Sequence, residues 1–170
     1  RTEDQKAPNL ETEALRMHKL TVKEFAGSRS SQERMVQEWK EEIEEKVREA
    51  CPLDFFPQQF EIVDWKQMQA ILARDGFPRR YEHWSFGPKF ASQDIRDMYG
   101  LGRTYELVIN TDPCVAYLLD SNSVQETRTV MAHVYFHNTF FKHNAYFRNT
   151  DRKMLARMGN HAERIREYQR

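Results

Sequence analysis

Two apolar runs, TYELVIN at residues 104–110 and CVAYLLD at residues 114–120, restrict this chain's fold more than any other feature. Each is rich in β-branched, aromatic and long aliphatic residues. They are joined through Thr111-Asp112-Pro113, a link with turn chemistry, so the spacing predicts a β-hairpin. Directly after it, Ser121 or Ser123 is placed to cap a helix carrying residues 123–144. A hairpin backed by a long helix needs a sheet with at least one covered face.

The preceding chain supplies partners for that sheet. Residues 31–50 predict a helix, with Ser30 or Ser31 as cap, Glu33 in the first turn, and Met35/Val36, Trp39, Ile43 and Val47 as an apolar stripe. Its acidic run, residues 41–45, reads as a solvated face with Glu42–Lys46 and Glu44–Arg48 pairs. Pro52 ends that helix. A short strand is expected at 60–63, then a helix capped by Asp64 and stopped by Gly76 and Pro78. RRYEHWSFG, residues 79–87, reads as another strand ended by Gly87-Pro88, and a last helix is expected over 151–170. Leu10, Leu15, Leu20 and Val22 could form a further short helix before Gly27. The order predicts an α+β fold: a small, mainly antiparallel sheet packed against helices, with an N-terminal charged helix. The expected division is a helical arm over 1–50 and an α+β domain over 51–170.

Several functional classes lose ground on composition. Lysine plus arginine and aspartate plus glutamate both number 26, so net charge draws the chain neither to nucleic acid nor to an acidic membrane. No apolar run approaches the roughly 18 residues of a membrane span. Cys51 and Cys114 each adjoin a proline and have no metal-type spacing; two reduced, largely buried thiols are expected, as in a cytosolic protein.

The chemistry concentrates in VMAHVYFHNTFFKHN, residues 130–144. At about 100° per residue, Glu126, His133, His137 and Asn144 share a face with Phe136 and Phe140, read as the side with most apolar content nearby. Histidines at i and i+4 can reach one divalent ion from a helix. A zincin helix would carry a glutamate after the first histidine, but here that residue is Val134, so any catalytic base must come from elsewhere. Glu106, inside YELVIN, and His83, inside YEHWSFG, are the candidates. A site of His83, His133 and His137 as metal ligands, with Glu106 as ligand or catalytic acid/base, would suit zinc or ferrous iron. Against this stands a bland reading: a polar core pair, with Glu106 paired to Arg79, Arg80 or Arg103, and His143 at the surface.

Five segments in order, LDFFPQQFEIVD, GFPRRYEHWSFG, YELVINTDPCVAYLLDSNS, VMAHVYFHNTFFKHN and NHAERIREY, resemble the signature segments of the SpoVR (stage V sporulation protein R) family. The resemblance runs from about residue 53 to 168 and implies the N-terminal part of a longer cytoplasmic protein. It links the chain to spore-cortex formation or a related stress process, a process rather than a reaction. The family's motif residues fall at His83, Glu106, His133, His137 and His161. The chain departs from the family pattern at Phe136, where a glycine is expected, at Thr139 in place of an acid, and at His143 in place of an asparagine.

Two functional readings stay open on these grounds. One is a metal-dependent hydrolase using a divalent ion such as zinc on a peptide, amide or cell-wall-related substrate. The other is a non-enzymatic regulatory or scaffold module, its histidines a structural network and its charged helices contacting protein partners. A nucleic-acid role, hinted at by FPRRYEHW, ranks behind both, and no membrane association is expected.

Overall fold

The computed structural model describes residues 28–52, 54–98 and 105–170. The short helix expected before Gly27 lies outside them. The elements are α1 (Arg29–Ala50), β1 (Gln58–Val63), α2 (Trp65–Ala73), α3 (Phe86–Met98), β2 (Glu106–Ile109), β3 (Cys114–Leu119), α4 (Val124–His143), a 3₁₀ turn (Ala145–Phe147) and α5 (Met154–Gln169). The α+β reading holds, and the helix caps explain where the chain turns. Asp64 starts α2 and Ser123 starts α4, each in a reciprocal capping box with the residue three positions on.

The sheet has strand order β1-β3-β2. The hairpin pairs β2 with β3 antiparallel, Glu106 opposite Leu118 and Ile109 opposite Val115. β1 pairs with β3 in parallel, Gln58 opposite Cys114 and Val63 opposite Leu119. The sheet is therefore mixed, where a mainly antiparallel one was expected. The parallel pair brings together strands separated by α2, α3 and β2, a crossover that local turn signals do not announce.

β3 is the middle strand and every residue of it is buried, as expected for a strand covered on both faces. Alternation along it divides the core. Leu118 joins Ile62, Val36, Ile43, Val47, Val124, Met131 and Tyr135 on the side of α1 and α4. Val115, Tyr117 and Leu119 join Met68 and Ile71 of α2 on the other. The charged helix α1 is thus part of the main core, its buried residues Gln32, Val36, Ile43 and Val47 forming one stripe. Arg128 of α4 donates to both carboxylate oxygens of Glu42 at 2.8 Å and lies over the Trp39 ring at 5.5 Å, tying the two helices together.

RRYEHWSFG does not form the expected strand. Residues 80–83 are irregular, and Phe86 begins α3. Gly87-Pro88, read as a strand terminator, lies in the first turn of that helix, where the missing proline N–H has no intrahelical partner to lose.

Candidate metal centre

The side chains of α4 divide differently from the expectation. Met131, Val134, Tyr135 and Asn138 are buried, placing the core-facing stripe roughly 100–200° around the helix from His133. Phe136 is 49% exposed and Phe140 54%. The face shared by the two histidines and these phenylalanines therefore borders solvent and the sheet edge; it is not the side facing the core. The stripe turns inward instead on residues that fill the space against α1 and β3.

Glu106 reaches the histidines because of strand register. It opposes Leu118, whose side chain points to the α1/α4 side of the sheet. Directly opposed residues project to the same face, so Glu106, at the head of β2, is turned toward α4. Its Oε1 lies 3.6 Å from His133 Nε2, and its side chain is 19% exposed against 57% for His133. His133 Nε2 and His137 Nε2 are 2.9 Å apart. One ligand atom from each of Glu106, His133 and His137 lies within 4.8 Å of the others. Burial, reinforced by the neighbouring His133 and opposed by Glu106, lowers the His137 pKa below its ordinary value. His137 is thereby held toward the neutral form that a metal ligand requires.

The other residues singled out from the sequence go elsewhere. His83 is exposed in the loop before α3; its Nδ1 is 2.7 Å from Ser85 Oγ and its ring packs by Tyr81, Trp84 and Phe86. Among the described residues the metal-competent group comprises Glu106, His133 and His137, without His83. Glu106, expected as the catalytic residue, is the third member of that group. It faces His133 and not Arg80, which pairs with Asp75. Glu126 Oε2 accepts from the Ser123 backbone N–H at 2.7 Å in the cap of α4. His161 is exposed on α5.

The three departures from the family pattern also have places. Phe136 lies on the open face of α4. Thr139 is buried and donates to the Tyr135 carbonyl at 3.0 Å. His143 Nε2 is 2.9 Å from both the backbone oxygen and Oδ1 of Asp54. A polar residue that the sequence reading passed over is Asn138. It is fully buried, accepts from Phe56 N at 2.9 Å, and donates to Phe56 O at 2.9 Å and Gln58 Oε1 at 3.0 Å. An asparagine on the same face as Met131, Val134 and Tyr135 was the available signal, since such a group must find partners.

Fold and cluster together define a mixed-sheet α+β protein with a His/His/Glu centre on one long helix and the adjoining strand. The family described as "SpoVR like protein" matches residues 30–170, and the chain belongs to it. It is similar to "Uncharacterized protein YcgB" of Escherichia coli (strain K12), with 41% identity over 107 residues, 62% of this chain and 21% of that protein. The chain thus aligns with about a fifth of the curated relative it matches. No solved structure matches the chain.

Proposed function

We propose that Glu106, His133 and His137 bind a divalent metal ion, zinc being the type, and that this centre serves a hydrolytic reaction on a peptide, amide or cell-wall-related substrate. The convergence of the three ligand atoms within 4.8 Å carries the reading. Two imidazoles and one carboxylate form the donor set of many catalytic zinc sites, in which three protein ligands leave a position for water. Two nitrogens 2.9 Å apart subtend about 90° at an ion about 2.05 Å from each. That angle suits a five- or six-coordinate centre, and a few tenths of an ångström opens it toward tetrahedral. Exposure of His133 leaves the centre accessible from solvent. A bound ion would bring its water's pKa toward about 7, generating hydroxide near neutral pH.

In this reading the chain supplies a metal-bearing portion of a SpoVR-like protein working in spore-cortex formation or a related stress process. A cytoplasmic setting agrees with Cys51 and Cys114 both being free thiols. No helix among the described residues is long and apolar enough to cross a membrane.

The test is elemental analysis of purified protein and of a His133→Ala variant. Near-stoichiometric metal in the parent and its loss in the variant are expected. A parent that takes up no zinc, iron or manganese on reconstitution would sink the reading.

One observation favours the scaffold alternative: the 2.9 Å contact between the two Nε2 atoms is already a complete hydrogen bond. If the pair is only structural, chelator leaves the melting temperature unchanged and His133→Ala lowers it. Protein partners would then bind through the charged helices.

A further inference from the structure

The segment GFPRRYEHWSFG, which the metal centre does not use, builds a second site with α5. Arg74, Arg79, Arg80 and His83 line an open cavity of about 310 Å³, and Arg166, from NHAERIREY, adds to its lining from α5. Two segments more than 70 residues apart in sequence thus meet around one hollow. Four arginines line it, against one carboxylate residue in the described lining, Glu82.

The nearby acids neutralise only part of this charge. Asp75 pairs with Arg80, and also with Lys89 at 2.7 Å. Glu163 takes Arg166 at 2.9 Å. Arg74 Nη1 donates to the Pro78 carbonyl at 3.0 Å, a neutral acceptor. Arg79 forms no ion pair among the described residues and is exposed. The wall itself is held in place: Arg80 donates to Arg74 O at 3.1 Å and lies 5.1–5.7 Å from the ring centres of Phe86, Tyr81 and Phe77. Phe86 also opens α3, so the positive end of that helix adds to the field at the wall.

We infer that this cavity binds a phosphate- or pyrophosphate-bearing small molecule. Guanidinium groups present planar, paired N–H donors that match phosphate oxygens and stay charged at every physiological pH. A cavity of this size holds a pyrophosphate or a compact phosphate ester. His83, exposed at the rim, adds a ring donor beside the arginines. The site stands apart from the Glu106–His133–His137 centre and does not depend on a metal.

Calorimetric titration of the full chain with inorganic pyrophosphate, in 150 mM salt with excess EDTA, tests it. Saturable one-to-one binding is expected, weakened at least tenfold by Arg79→Glu and by Arg166→Glu. Glu82→Gln is expected to bind as well as the parent or more tightly. Arg79→Lys keeps the charge but not the paired donors, and should lose part of the affinity while melting like the parent. No saturable binding by the parent overturns the inference. Equal binding by the parent and both charge-reversed variants overturns it too, since the anion would then sit elsewhere. A Glu106→Ala variant that still binds pyrophosphate confirms that the two sites are separate.

Discussion

The Nε2 atoms of His133 and His137 face each other at 2.9 Å, with ring planes 86° apart and Glu106 Oε1 3.6 Å from the first. Two imidazoles so placed can share a proton or a metal ion, but two protons would put like charges in contact. The arrangement makes proton and metal direct competitors.

Glu106→Gln keeps the shape of the third ligand while removing its charge. Metal affinity is expected to fall at least tenfold, with His137→Ala losing more because a nitrogen ligand disappears. In the parent, affinity should fall once pH drops into the lowered range of His137, where protonation of that imidazole competes with the metal. Competition with a chromophoric zinc chelator at several pH values measures both effects. Glu106→Gln binding as tightly as the parent would place the carboxylate outside the ligand set.

Asp54 governs an acid-sensitive contact between α4 and the segment before β1. The hydrogen bond from Lys142 does most to lower its pKa below the ordinary 3.8; the Lys142 charge and the His143 contact add to this, and slight burial opposes. The unfolded chain binds a proton at Asp54 more readily than the folded one. The contribution is therefore present above about pH 4 and lost as pH falls through the lowered folded value. Melting curves between pH 5 and 2 should be shallower in pH for Asp54→Asn than for the parent. Parallel curves for the two proteins would contradict this.

Asn138 is expected to matter for stability more than either histidine. Replacing it with leucine strands the Phe56 backbone N–H and carbonyl, which it bonds at 2.9 Å each. A loss on the order of 3 kcal/mol follows from leaving such groups unpaired. For a domain this size that is roughly 6–12 °C in melting temperature. Differential scanning calorimetry decides it; a shift under 2 °C would show that water replaces the amide without penalty.

The two thiols should differ sharply in reactivity. Cys114 has no exposed surface, and burial raises its pKa against the opposing charge and hydrogen bond of Arg152, while Cys51 is half-buried. Alkylation of the native protein followed by peptide mass spectrometry should label Cys51 first and Cys114 only on unfolding. Equal labelling rates would mean that the β3 end opens readily.

The hairpin, the Ser123 cap and the i,i+4 spacing of His133 and His137 were legible because each is settled within a few residues. Turn chemistry, a capping side chain and a helical period act locally. The burial stripe of α4 was misjudged for a related reason. Phe136 and Phe140 weight the histidine face toward the apolar, but which face turns inward depends on what packs there, and Met131 and Tyr135 fit the space against α1 and β3. The loop of 79–85 was misread because glycine-proline punctuates both strand ends and helix starts.

By itself the sequence determined the helices and strands outside residues 79–98, where α2 and α4 begin, and that two imidazoles stand one turn apart. Tertiary structure decided the rest. It paired β1 with β3 in parallel, set Glu106 opposite Leu118 and so toward His133, and sent His83 to the arginine-lined cavity with Arg166. Those outcomes rest on contacts between residues far apart in the chain. Their energies depend on how whole faces bury one another, which no local pattern of residues encodes.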